Sequence, residues 1–122
     1  STPIGEHYSF LNTILYGLCS FKKIIIQNII SARLFIDLPT PNPKTDLPPH
    51  VDLHFPHLVC LYYVNDSNGD TIFFKDDKTT ELKRVSPKKG RIAFFDGSIY
   101  HSGTPSGTNS RSVVNFNFTP YL

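Results

Sequence analysis

The chain has 122 residues, with 12 Lys and Arg against 10 Asp and Glu; this length supports one compact core and is too short for two ordinary domains, so a single domain over residues 1–122 is expected. The basic residues are dispersed rather than clustered, which leaves no electrostatic footprint for nucleic acid or a membrane surface. Cys19 and Cys60 sit in apolar surroundings far apart in sequence, a pattern that suits buried thiols in a reducing, cytoplasmic setting and argues against a disulfide framework.

In chain order, Glu6 to Leu18 is the helix candidate, because Tyr8, Leu11, Leu15 and Leu18 recur at helical spacing. A helix with one apolar stripe is expected to pack on the outside of a sheet. The apolar stretch Ile24 to Ile36 is broken by Gln27, Asn28, Ser31 and Arg33 and falls short of a membrane span. No signal peptide is visible, and the chain contains no Met, so the start of the natural reading frame is expected to lie outside it. Strand signals then recur at Ile29 to Leu38, Val51 to Leu53, Leu58 to Asn65, Thr71 to Phe74, Glu81 to Val85, Arg91 to Phe95, Tyr100 to Ser102 and Ser112 to Phe118. The breaks carry turn chemistry, as in Asp66-Ser67-Asn68-Gly69-Asp70 and Pro87-Lys88-Lys89-Gly90. Residues 39 to 49 hold five prolines and are expected to form a rim loop rather than a central strand. This pattern predicts a mainly β sandwich or barrel with one or two N-terminal helices.

His50-Val51-Asp52 places an imidazole and a carboxylate two residues apart, and on a strand both point to one face. A third ligand from a distant strand would complete a set of two histidines and one carboxylate with adjacent open positions, the arrangement non-haem Fe(II) oxygenases require. His101, 49 residues after Asp52, is the candidate, and Arg111 follows ten residues later at the start of the last strand. Taken alone, a His-x-Asp is common by chance and a strand histidine is most often structural; the ordered set of four raises the functional reading above that background. His54 and His57 extend the local cluster toward a zinc-like pattern. Phe55-Pro56 argues that the chain leaves the sheet there, and both are read as rim histidines.

The stretch from Pro49 to Phe118 resembles the prolyl 4-hydroxylase-like branch of the 2-oxoglutarate oxygenases, including short phage-type members. The resemblance rests on His50-Val51-Asp52, Cys60-Leu61-Tyr62-Tyr63-Val64-Asn65, Gly69-Asp70-Thr71-Ile72-Phe73, Pro87-Lys88-Lys89-Gly90-Arg91, Phe94-Phe95-Asp96, His101 and Arg111, in that order over somewhat more than half the chain. It implies a double-stranded β-helix (jelly-roll, cupin-like) with a catalytic core from His50 to Phe118. It also implies Fe(II) held by His50, Asp52 and His101, with 2-oxoglutarate and O2 as co-substrates. Arg111 would meet the distal carboxylate of 2-oxoglutarate, as a guanidinium fork suits a carboxylate, and Tyr63 would hydrogen-bond the same group. An aromatic core residue is the equal alternative for Tyr63. Other branches carry a serine two residues after the arginine where this chain has Val113, so Tyr63 would have to supply that hydroxyl. Asn115 and Asn117 share the Arg111 face; Asn115 would touch substrate or an iron-bound water, with a solvent-facing role equally open. Arg33 reads better as an exposed charge than as a pocket residue.

The implied reaction couples oxidative decarboxylation of 2-oxoglutarate to hydroxylation of a small-molecule or peptidyl substrate, a prolyl side chain being the first expectation from the resemblance. Two other classes stay open at this point: a cupin-like metal-binding β-barrel, which would leave Arg111 without a role, and a non-catalytic ligand-binding β-sandwich.

Overall fold

The computed structural model describes residues 5–39 and 48–121. Among the described residues, one helix, α1 (Gly5–Phe21), is followed by seven strands: β1 (Ile26–Asp37), β2 (Leu58–Tyr63), β3 (Thr71–Phe74), β4 (Glu81–Val85), β5 (Ile92–Asp96), β6 (Tyr100–Gly103) and β7 (Arg111–Pro120). The strands form two antiparallel sheets, a larger one ordered β1-β7-β2-β5 and a smaller one ordered β4-β3-β6. This is the mainly β, jelly-roll architecture of a double-stranded β-helix, as predicted.

The larger sheet carries apolar side chains on both faces, so its central strands read as nearly continuous hydrophobic runs. Cys60, Val114, Phe116 and Phe118 point outward and close against Leu15 and Cys19 of α1. On the inner face, Val59, Leu61, Tyr63 and Val113 form a second core, with Val85 and Phe95 packed against it. The expected helical stripe is thus confirmed at Leu11, Leu15 and Leu18, while α1 continues three residues beyond the predicted end. Both cysteines are buried and free, and both belong to the helix-side core.

Two expectations need correction or restriction. The predicted strand Val51 to Leu53 does not form; instead His50 makes a single antiparallel bridge to His101, each donating its amide to the other's carbonyl at 3.0 Å. Pro48 and Pro49 before it and Pro56 after it lack amide donors, so the ladder cannot extend in either direction. The segment nevertheless occupies the place of a fourth strand beside β6. The proline-dense loop falls mostly outside the described residues.

Candidate metal and carboxylate site

A cavity of about 600 Å³ opens between the two sheets. Its polar groups come from the His50 segment, Asp37 at the end of β1, Thr71 on β3, β6 with Thr104 beyond it, and the inward face of β7, where residues at alternate positions from Arg111 to Asn115 share one side.

His50, Asp52 and His101 converge at one end of this cavity, their donor atoms within 4.8 Å of one another. Asp52 Oδ1 lies 3.4 Å from His50 Nε2 and 3.5 Å from His101 Nε2, close to the roughly 3 Å that separates neighbouring donors around an octahedral ion with ~2.1 Å bonds. The Nδ1 atoms of both rings face backbone carbonyls, His50 that of Pro48 at 3.3 Å and His101 that of Ile99 at 3.1 Å. Those carbonyls accept only from a protonated Nδ1, so in each ring Nε2 is the nitrogen turned toward Asp52 and, once it gives up its proton, the one that can bind a metal. The backbone bridge between positions 50 and 101 brings the two rings to 4.6 Å, and Phe95 packs edge-on against His101 at 5.0 Å.

The electrostatics fit a carboxylate that stays ionised. Hydrogen bonds from His101 and then His50 hold the Asp52 carboxyl far below the usual carboxylate range, and Asn115 contributes in the same direction. The hydrogen bond to Asp52 in turn pushes the His50 imidazole up. Asn115 Nδ2 donates to the other carboxylate oxygen, Asp52 Oδ2, at 3.2 Å, and Asn117 Nδ2 donates to Asn115 Oδ1 at 3.2 Å. Asp52 therefore presents Oδ1 to the histidines while Oδ2 is held from β7.

At the other end of the cavity Arg111, 8% exposed, is fixed by three partners. Its Nε donates to the Gly69 carbonyl at 2.8 Å, Nη2 to Thr71 Oγ1 at 2.9 Å, and Nη1 to Asp37 Oδ2 at 3.3 Å. Gly69 is a glycine for a steric reason: a Cβ there would lie 2.5 Å from the Thr104 carbonyl oxygen and 3.0 Å from Arg111 Cδ. The surrounding loops are tied together by Ser106 Oγ donating to Asn68 Oδ1 at 2.6 Å and by the Thr104 amide donating to the Asp70 carbonyl at 2.8 Å. The guanidinium is thus seated in a preformed collar.

Tyr63 lies behind that collar. It is fully buried, and its hydroxyl donates to Thr71 Oγ1 at 2.8 Å. Thr71 stands between Tyr63 and the cavity, which it lines. Burial raises the Tyr63 phenol above its ordinary pKa, partly offset by the Thr71 contact and the nearby Arg111 charge. Thr71 Oγ1 accepts from both Tyr63 and Arg111, so its own proton is the part of that hydroxyl left to donate into the cavity. Sequence reasoning missed Thr71 and Asp37. Only the strand register, Thr71 opposite Gly103 and Asp37 opposite Arg111, reveals them.

Among the remaining candidates, Arg33 and His54 are exposed, as expected. His57 is not a rim residue: it is 4% exposed, its Nδ1 faces the Phe55 carbonyl at 2.8 Å, and its ring lies under Gly97. The ring fits there because Gly97 has no side chain; a Cβ at that position would come 2.2 Å from it. Among the described residues the metal-ligand group contains His50, Asp52 and His101 and neither His54 nor His57.

Residues 40–119 match the family model of the 2OG-Fe(II) oxygenase superfamily. The fold is similar to a prolyl-4-hydroxylase from Pseudomonas putida at 15% identity and a TM-score of 0.63, over 94% of this chain and 65% of that one. It also matches hydroxypropylphosphonic acid epoxidase from S. wedmorenis at 15% identity and a TM-score of 0.49, over 71% of this chain and 42% of that one. No curated protein matches the chain in sequence. The matched family uses Fe(II), 2-oxoglutarate and O2, and the two imidazoles and one carboxylate gathered here fit iron.

Proposed function

The chain belongs to the 2OG-Fe(II) oxygenase superfamily, and from that premise we propose that it is a 2-oxoglutarate-dependent dioxygenase that hydroxylates a C–H bond of its substrate. The observation that carries this reading is the presence in one cavity of a two-histidine, one-carboxylate donor set and a buried, pre-seated guanidinium. A cupin-like metal site gives the guanidinium no purpose, and a non-catalytic ligand-binding sandwich gives the metal-donor set none.

In this reading His50, Asp52 and His101 would hold Fe(II). Three protein ligands leave room at the metal for the keto acid and O2. When bound, iron and O2 supply the oxidising power that couples decarboxylation of 2-oxoglutarate to succinate and CO2 with hydroxylation of the substrate. Asn115 keeps the Asp52 carboxylate turned toward the two histidines. Arg111 holds the distal carboxylate of 2-oxoglutarate, with Thr71 as the neighbouring neutral donor. Tyr63 acts one step behind, filling a lone pair of Thr71 so that the threonine proton is free for the co-substrate. Leu61 and Val113 line the cavity between the two ends and keep its middle apolar. For the substrate we propose a prolyl or other peptidyl side chain, supported by the fold likeness to the Pseudomonas putida prolyl-4-hydroxylase.

The test is anaerobic titration of the protein with Fe(II) and then 2-oxoglutarate. One iron per chain and a weak visible charge-transfer band are expected, followed on admission of air by succinate formation that proline-containing peptides accelerate. Binding of zinc alone, with no band and no succinate, would overturn the oxygenase reading; succinate formation that no peptide accelerates would remove the peptidyl substrate.

A further inference from the structure

Arg111 has an acidic partner of its own. Asp37, the last residue of β1, is the cross-strand neighbour of Arg111 on β7, and its Oδ2 lies 3.3 Å from Arg111 Nη1. The three partners of the guanidinium differ in kind. The Gly69 carbonyl is backbone in a tied loop and Thr71 is buried, whereas the Asp37 side chain is 56% exposed. Asp37 is therefore the one partner that can turn away into solvent without disturbing the fold. It also lines the same cavity as His50, Asp52 and His101.

A second carboxylate arriving at Arg111 meets a simple constraint. If Asp37 stays, two anions share one cation at close range; if Asp37 swings out, one carboxylate replaces another and the local charge is conserved. The second course costs the exposed ion pair, worth little in water, and the first costs like-charge repulsion inside a cavity.

Resting on the reading of Arg111 as the co-substrate anchor, we propose that Asp37 is an internal competitor that sets the affinity for 2-oxoglutarate, a carboxylate that occupies Arg111 and is displaced by the distal carboxylate of the co-substrate. Gly69 and Thr71 hold the guanidinium in place, and Asp37 sets a threshold that an incoming carboxylate must exceed. A 2-oxo acid with a second carboxylate passes it by exchange. A 2-oxo acid without one leaves the Asp37–Arg111 pair in place and takes nothing from Arg111.

The experiment is calorimetric titration of Mn(II)-loaded protein with 2-oxoglutarate and, separately, with 2-oxobutyrate, which lacks the distal carboxylate. Wild type, Asp37→Asn, Asp37→Ala and Arg111→Ala are compared. Both Asp37 variants are expected to bind 2-oxoglutarate about two- to fivefold more tightly, the range of an exposed ion pair, with 2-oxobutyrate affinity unchanged. Equal tightening for both acids would overturn the proposal, because Asp37 would then act through the general field of the cavity. Unchanged or weaker 2-oxoglutarate binding in both variants, with Arg111→Ala still strongly impaired, would overturn it while leaving the anchor intact. If Arg111→Ala binds 2-oxoglutarate like wild type, the anchor reading itself fails and the role of Asp37 goes with it.

Discussion

Arg111, Thr71 and Tyr63 form a chain of dependence in which the charge matters most and each step outward matters less. Arg111→Ala removes the cationic partner of a carboxylate in a nearly buried position, and about 3 kcal/mol, or roughly a hundredfold in 2-oxoglutarate affinity, should be lost. Iron binding should survive, since no metal donor touches the guanidinium. Thr71→Val removes the neutral donor and leaves the Tyr63 hydroxyl without its acceptor; a loss of about 1.5–3 kcal/mol is expected from a hydrogen bond to a charged group. In the proposed site Tyr63 would act on the co-substrate only through Thr71, so Tyr63→Phe should cost less than Thr71→Val. Anaerobic titration of the charge-transfer band ranks the three, and a larger effect for Tyr63→Phe than for Thr71→Val would reverse their assigned order. At the metal, His101→Ala should abolish iron binding, whereas His54→Ala, at an exposed position outside the donor group, should leave it intact. Loss of iron in the His54 variant would return the site to a local histidine cluster.

Elements position these residues through two local devices that sequence patterns show only in part. On β7, Arg111, Val113, Asn115 and Asn117 face the cavity side while Val114, Phe116 and Phe118 enter the helix-side core, so a one-residue slip in register would exchange the two sets. Asn115→Leu removes the donor to Asp52 Oδ2 without altering a ligand, and iron affinity should fall by roughly tenfold, the lower end for outer-shell partners of metal ligands. Equilibrium dialysis with Mn(II) checks it; unchanged affinity would mean that the two histidines alone orient the carboxylate. The second device is the turn between β5 and β6, where Gly97 covers the ring of His57 and its amide donates to the His57 carbonyl at 2.8 Å. Gly97→Ala should destabilise the fold by about 1–3 kcal/mol through overpacking. In a His57→Ala background the same change should cost much less, because the ring it would strike is gone. Urea denaturation of the four proteins of this cycle gives the coupling energy, and strict additivity would show that His57 is not what requires a glycine.

Across the whole molecule, the larger sheet is insulated on its outer face by α1 and on its inner face by the cavity walls. Phe116, fully buried between sheet and helix, should cost about 3–5 kcal/mol when replaced by alanine, read as a lowered denaturation midpoint. The two thiols report on the same core. Burial pushes Cys60 up to about 12, the neighbouring Cys19 adding to it, and Cys19 up to about 11. A raised thiol pKa favours the protonated folded state, so this contribution is complete below the ordinary thiol value of 9.0 and is lost as pH rises toward 11 and 12. Alkylation at pH 8 should accordingly require unfolding, and rapid labelling of the native protein would show the helix–sheet core to be open. Much of this was legible in the sequence. The mainly β class, the outer helix, the buried cysteines and the inward face of β7 follow from side-chain periodicity, a property of neighbouring residues. The grouping of His50, Asp52 and His101 followed from ordered spacing together with a family resemblance, although the predicted strand at 51–53 proved to be a single bridge. Tertiary structure alone decided the rest. Thr71 reaches Arg111 across 40 positions and Asp37 across 74, while His57 is buried because a glycine 40 residues later makes room for it. Such partnerships depend on which strands lie side by side and in what register, and local propensity does not encode that distance.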